Sequence, residues 1–528
     1  MPYRANPFLE RMSERTTSDQ EFVRLFSPKI LERLPDDVFE GAVHIFRSPP
    51  GGGKTTLLRA FTPPALRAFW NARRAPEMSE SHQRLVARGV LDEQQGPQLL
   101  GVRALRTSSS NGRLAGRARR GARGLDGTES LTGSAATPGD RLIMLWQPYV
   151  YRRGVEVESL WDLLFEGRPI RPLYITGRGF DTRAQSVMSR LVSNIELSGV
   201  TVEKAELLLV GFSGYHLSDE LREQTEQNAA ALEAAFSRLG TSSTVSVGSS
   251  AAGEDDITAS NALRIGTAAV LSHVSNHTDI ILDVSSMPRV AYLSLLTGLL
   301  EMLVPDKGRA DCLTAGGVNL QVLVAEDARL DGQIRSEDPS NDPVLIPGFS
   351  SALHAESVQD WPLVWFPVLG ENRVPQLEKV MTSAIPDLAE ICPVLPHPSR
   401  DPRRADRLLV EYKRPLFDSR QTPIGNVLYA HESNPFEAYR QLLGAMERYR
   451  TSMSIVGGCR LVVTPLGSKL ITVGAGLACF EMRPSDLEGR YGVAIPYAGP
   501  TRYVAAADAF RLANPELAAL LLTGTAYQ

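Results

Sequence analysis

The residues best suited to chemistry form the run Ser48-Pro49-Pro50-Gly51-Gly52-Gly53-Lys54-Thr55-Thr56. A phosphate-cradling loop is written GxxxxGK[ST] and lies between a strand and a helix. Here Val43 to Phe46 reads as the strand, and a helical pattern begins near Thr55. Gly51, Gly52 and Gly53 let backbone N–H groups turn inward onto phosphate oxygens, and the dipole of the following helix adds positive potential. Lys54 would neutralise the β- and γ-phosphates. Thr55 would hold Mg²⁺ through the nucleotide, with Thr56 beside it. Ser48 stands where the pattern has its first glycine and is small enough for a tight turn. The loop predicts nucleotide binding.

The stretch around this loop, with Asn6-Pro7-Phe8 upstream and PPGGGKTTLLR downstream, resembles the N-terminal end of bacterial AAA-type ATPases related to the origin-recognition group. The resemblance covers roughly residues 5–62 and implies ATP with Mg²⁺, Lys54 as the phosphate lysine and Thr55 as the magnesium ligand. Such ATPases follow the loop with a strand ending in Asp-Glu. The comparable run here, Leu142 to Leu145, reads as a strand that ends in Trp146-Gln147, so hydrolysis lacks a nearby acid. Asp283, at the end of Asp279-Ile-Ile-Leu-Asp283, has the shape of a magnesium-orienting strand end, but more than 220 residues separate it from the loop.

Asp283 belongs to a second group of candidates. In a doubly wound sheet, ligands gather at the carboxyl ends of strands near the switch point. Ser285, Ser286 and Arg289 follow Asp283 and open a helix. Gly177, Arg178, Gly179 and Asp181 follow the strand RPLYIT. A cation in the first turn of a helix opposes the dipole unless an anion sits there. The pattern over residues 171–305 resembles the Rossmann-like nucleotide-sensor domains associated with CRISPR systems, which implies a nucleotide or phosphate ligand and a role in defence.

A third set points to different chemistry. Arg407-Leu-Leu-Val-Glu411-Tyr412-Lys413 reads as a strand, which would put Glu411 and Lys413 on one face. With Asp387 upstream, this is the pattern of a metal-dependent nuclease, in which the acids hold Mg²⁺ and the lysine activates water. Glu-x-Lys is equally an ordinary cross-strand charge pair. Further on, Thr464 to Lys469 ends a strand and opens an apolar helix, where Lys469 could meet an anion and Ser468 serves as a cap.

These candidates need elements to hold them, and the chain is large enough to supply several. It has 528 residues, 43% hydrophobic and 22% charged, a soluble globular composition. A net charge of −4 provides no global field toward nucleic acid. Four scattered cysteines exclude a disulfide scaffold, and the absence of a long apolar run predicts a cytoplasmic chain that does not enter membranes.

Strand and helix patterns alternate, so the expected fold class is α/β: a P-loop segment, a disordered basic linker, and two Rossmann-like lobes with doubly wound parallel sheets. The expected boundaries are 1–75 for the P-loop segment, 76–140 for the Arg/Gly/Ser-rich linker, 141–345 for the first lobe and 346–528 for the second. Residues 326–345 read as a polar linker between the lobes. Seven arginines between Arg103 and Arg123 could touch nucleic-acid backbone, but a solvated linker is the favoured reading. The expected protein is an ATP-binding regulator that couples nucleotide binding to ligand sensing or to docking of a protein partner or a second copy. The competing readings are a binding module with a vestigial P-loop and a nuclease.

Overall fold

The computed structural model describes residues 144–527 apart from 214, 249–258, 328–329, 331–332, 341, 355–357, 484–491, 507–509 and 511–514. All of these belong to the unit Thr137–Gln528. The P-loop, the Asn6-Pro7-Phe8 motif and the arginine-rich segment lie outside the described residues.

Two parallel-dominated sheets organise this unit. The first lobe starts with β1 (Val150–Arg153) and α1 (Glu156–Phe165), then alternates β2 (Pro172–Arg178), α2 (Arg183–Ser198), β3 (Glu206–Ser213), α3 (Asp219–Phe236), β4 (Thr241–Gly248), α4 (Ala259–Leu271), β5 (Asp279–Asp283), α5 (Arg289–Leu303) and β6 (Asn319–Glu326). Strands β2 and β5 are buried at nearly every position, because helices cover both faces of a parallel sheet and leave no side for polar residues. The second lobe runs β9 (Leu363–Val368), α6 (Val374–Ala384), β10 (Glu390–Ile391), β11 (Val394–Pro396), α7 (Arg404–Glu411), β12 (Leu428–Ala430), α8 (Pro435–Met453), β13 (Arg460–Pro465), α9 (Lys469–Met482) and β14 (Val493–Ala494).

The parallel strands follow the same order in both sheets: β4-β3-β2-β5-β6 in the first and β12-β11-β9-β13-β14 in the second. Each is third-second-first-fourth-fifth, so each sheet has its switch point between its first and fourth strands. One core runs through both lobes, with Leu293 and Leu296 of α5 in the same cluster as Leu470, Val473 and Leu477 of α9. A second cluster fills the opposite face of the first sheet.

Three sequence expectations are corrected. Residues 326–345 are not a plain linker: they form β7 (Arg335–Pro339) and β8 (Val344–Leu345), which pair antiparallel with β16 (Pro500–Val504) and β15 (Pro496–Tyr497). The two connections between the lobes thus bind each other. The last strand, β17 (Glu516–Thr523), returns to the first sheet and pairs antiparallel with both β1 and β6, so the second lobe does not extend to residue 528. Its apolar run Leu517–Leu522 fits either sheet, and nothing local says which. Finally, 144–149 is turn, bend and coil up to β1, not the end of a strand.

Candidate functional site

The carboxyl ends of the first and fourth strands of both lobes meet at a seam. In the first lobe, the Tyr174 hydroxyl (2.9 Å) and Thr176 (3.3 Å), both on β2, donate to one Asp283 oxygen, and the Ser285 N–H donates to the other (2.9 Å). Asp283 is fully buried, and that burial pushes its carboxyl above the usual range. Its three donors make it the knot that ties β5 to β2, and they occupy the oxygens a magnesium ion would need. The Ser286 hydroxyl donates to Gly177 O at 2.9 Å, and Ser285 Oγ accepts from Ala325 N at 2.9 Å. A Cβ on Gly177 would stand 2.9 Å from Ser286 O, and one on Gly179 would stand 3.0 Å from it, so these glycines serve close loop packing. The second lobe repeats the device: a Cβ on Gly370, just after β9, would stand 2.3 Å from Leu466 O.

Two sequence candidates are engaged elsewhere. Arg178 pairs with Glu226 of α3 at 2.5 Å. Asp181 pairs with Arg183 at 2.6 Å; burial alone would raise its carboxyl, and the guanidinium reverses this and lowers it. Asn228 holds this loop by donating to Gly179 O and Asp181 O.

Arg289 is the sequence candidate that reaches across the seam. From the first position of α5 it donates to Gly467 O at 2.5 Å and Leu466 O at 3.4 Å, in the β13–α9 turn of the other lobe. Lys469, the first residue of α9, reciprocates by donating to Ser285 O in the β5–α5 turn. Each fourth-strand helix thus sends its first cation onto the loop of the opposite lobe. Arg373, which precedes α6, approaches the same place. Burial, and next the Arg289 guanidinium, lower its pKa, so the two cations stand close enough to repel. Tyr497 and Tyr503 neighbour both guanidiniums, and the Tyr497 hydroxyl lies 3.5 Å from Arg289. Both arginines are partly buried and form no ion pair with a described carboxylate, although the Glu411 carboxylate lies near Arg373. Arg289 Nε, Tyr292 Oη and Thr472 Oγ1 are buried without hydrogen-bond partners.

Cations recur at the helix starts beside this seam. The four helices that follow first and fourth strands begin with cations: Arg183 on α2, Arg289 on α5, Arg373 before α6 and Lys469 on α9, with no acid in their first turns. Elsewhere Glu156 and Glu158 open α1, Asp219 and Glu220 open α3 and Glu437 opens α8 in accord with the dipole rule. By contrast, α4 has no acid in its first turn, and α7 starts with Arg403 and Arg404 ahead of Asp406, Arg404 being paired with Glu371 and Glu432. Asp181 pairs with Arg183 and also lies near Lys469, and Glu411 lies near Arg373.

The nuclease constellation is not assembled. Residues 404–411 form helix α7, not a strand, because Ala405 and Leu408 bury one face at helical spacing. Glu411 accepts from the Asn372 N–H at 2.7 Å, Lys413 pairs with Asp418 at 3.0 Å, and exposed Asp387 pairs with Arg420 at 3.0 Å. Among the described residues, no group of three or more His, Cys, Asp or Glu side chains is placed to hold a metal ion, and no helix is long and apolar enough to cross a membrane.

Sequence reasoning passed over Arg373, Tyr497 and Tyr503. The signal for Arg373 was present, since Arg373-Val374-Pro375 follows strand β9 as Arg289 follows β5. The tyrosines arrive through pairing of the inter-lobe connections, which no local pattern reveals. Neither models of known protein families nor curated proteins give a match to this sequence.

Proposed function

We propose that the two-lobed unit is a sensor that binds a phosphate-bearing ligand, such as a nucleotide, at the seam, and that the protein is an ATP-binding regulator whose P-loop, Ser48–Thr56, responds to that ligand. The observation that carries the reading is the meeting of cations at the seam: Arg289 reaches Gly467 O from the start of α5, Arg373 stands beside it ahead of α6, and Lys469 reaches Ser285 O from the start of α9. A phosphate group there would meet the Arg289 and Arg373 guanidiniums together, with Lys469 across the seam.

The seam and the P-loop divide the ligand chemistry between them. The P-loop takes ATP through Lys54 with Mg²⁺ on Thr55. At the seam, Asp283, Asp181 and Glu371 are engaged by protein donors, so the ligand there would bind without a metal ion. A regulatory or defence role fits such a two-site design, and the resemblance over residues 171–305 supports the same class of ligand.

Calorimetry of the full chain separates the sites. ATP with Mg²⁺ should bind through the P-loop and lose its affinity in Lys54→Ala. Inorganic pyrophosphate in EDTA should bind through the seam and lose its affinity in Arg373→Met. Unchanged ATP affinity in Lys54→Ala would retire the P-loop, and silence toward pyrophosphate would retire the seam. Phosphate release measured on the ATP sample would show whether the P-loop turns over or only switches.

A further inference from the structure

Helix α9 begins at the seam and ends at a different structural feature. It is buried at 12 of its 14 residues and spans about 21 Å. At its first turn, Lys469 donates to Ser285 O. At its last turn, Glu481 accepts from the Leu145 N–H at 3.1 Å and from the Tyr439 hydroxyl. Tyr439 in turn accepts from the Trp146 N–H at 3.4 Å, and the Trp146 ring packs edge-on against Tyr439 with centroids 5.5 Å apart. Residues 145–146 are therefore gripped by the end of α9, and they are the point where the chain arrives from the residues that carry the P-loop.

Between its ends α9 is a close-fitting rod. Gly476 lies against α5, where a Cβ would stand 3.0 Å from the Leu293 side chain. Gly474 lies against the start of α8, where a Cβ would stand 2.1 Å from Pro435 O. Helices in such contact move as rigid bodies, because a packed core transmits displacement and does not absorb it. Gly476 and Gly474 let α5 and α8 approach the α9 backbone closely at these two points. Lys307 Nζ, which donates to Phe480 O at 2.8 Å and to Glu481 O at 3.3 Å, ties the far end of α9 to the first lobe.

We infer that α9 reports the state of the seam to residues 144–149: an anion that draws Lys469 away from Ser285 O shifts the helix and changes the hold of Glu481 on Leu145. This rests on the seam reading above and adds the route by which a bound ligand reaches the segment that follows the P-loop region.

Hydrogen exchange on the full chain tests it, with pyrophosphate in EDTA as the probe and binding measured on the same sample. Binding should change the exchange rate of the Leu145 and Trp146 amides at least fivefold. Glu481→Gln should still bind pyrophosphate but lose that response. A second arm needs no ligand. Lys469→Met removes the tether at the seam and should by itself alter exchange at Leu145 and Trp146, with α1 and α2 unaffected. Pyrophosphate binding with unchanged exchange at these amides would overturn the inference and leave the seam reading standing. An unchanged rate in Lys469→Met would overturn it whether or not pyrophosphate binds, whereas absence of binding alone would count against the seam reading.

Discussion

Two sets of helix starts in this molecule obey opposite electrostatic rules. Helices α1, α3 and α8 carry acids in their first turns. Ser218, accepting from Leu221 N, and Asn434, accepting from Phe436 N, cap α3 and α8, as Ser468 caps α9. Helices α2, α5, α6 and α9 begin with cations, yet their sheets and cores are built as well as any other part. The first set is arranged for stability. The second sets a cation against the dipole at about 0.3–1 kcal/mol per exposed helix start; Asp181 lies near both Arg183 and Lys469, Glu411 lies near Arg373, and Arg289 forms no ion pair with a described carboxylate. Under the proposed function, an anion at the seam offsets this local cost.

The largest expected effect removes the contrast outright. Replacing Arg289 and Arg373 together with Met should lower affinity for pyrophosphate by more than 100-fold, since each charge-assisted hydrogen bond contributes about 1.5–3 kcal/mol. Arg373→Met alone should cost about 10- to 100-fold on the same reasoning. Titration calorimetry measures both. Equal affinities in wild type and the double variant would place the anion elsewhere.

A second experiment turns on Glu371, which sits two residues before Arg373 but faces Arg404 at 2.6 Å. Burial alone would raise its carboxyl; the Arg404 guanidinium more than reverses this and holds it below the usual range. Its contribution to stability is therefore present at neutral pH and is lost as pH falls through the acid region below the ordinary glutamate value. Arg404→Met should raise the pH midpoint of acid unfolding followed by circular dichroism. The same variant should weaken pyrophosphate binding, because the released Glu371 becomes available to pair with Arg373. Acid sensitivity without a change in binding would confine Glu371 to a structural role.

Smaller effects sharpen the contrast. Ser218→Ala, at an ordinary helix start, should cost about 1 kcal/mol in denaturant unfolding and leave anion binding unchanged. Arg373→Met should shift ligand-free stability by no more than about 0.5 kcal/mol in either direction while binding weakens as above. The smallest response belongs to the core. Burial pushes the Cys392 thiol up to about 12 and Cys459 to about 11. Neither should be alkylated at pH 8 until the protein unfolds, with or without pyrophosphate, as mass spectrometry would show.

Much of the scaffold was legible because strands such as RPLYIT and LVWFPVL carry continuous apolar runs between Gly- and Pro-containing loops. The helices from Val374, Phe436 and Ser468 also begin within a residue of their expected starts. The run 407–413 misled because Leu408, Leu409 and Val410 are apolar in either periodicity; burial at Ala405 and Leu408 decides for helix. At the site, Arg289 and Lys469 were visible as cations after fourth strands. Ser285, Ser286, Gly177 and Gly179 were correctly placed at strand ends, but the structure uses them to build the loops. Arg373 and the tyrosines depend on the second lobe facing the first, a long-range arrangement that periodicity does not encode.

The most direct measurement is a calorimetric titration of the full chain with inorganic pyrophosphate in EDTA, run in parallel on the Arg289→Met/Arg373→Met variant. Saturable binding near one equivalent in the wild type and none in the folded variant is the predicted result. Indistinguishable heats from the two proteins would contradict the seam as an anion site.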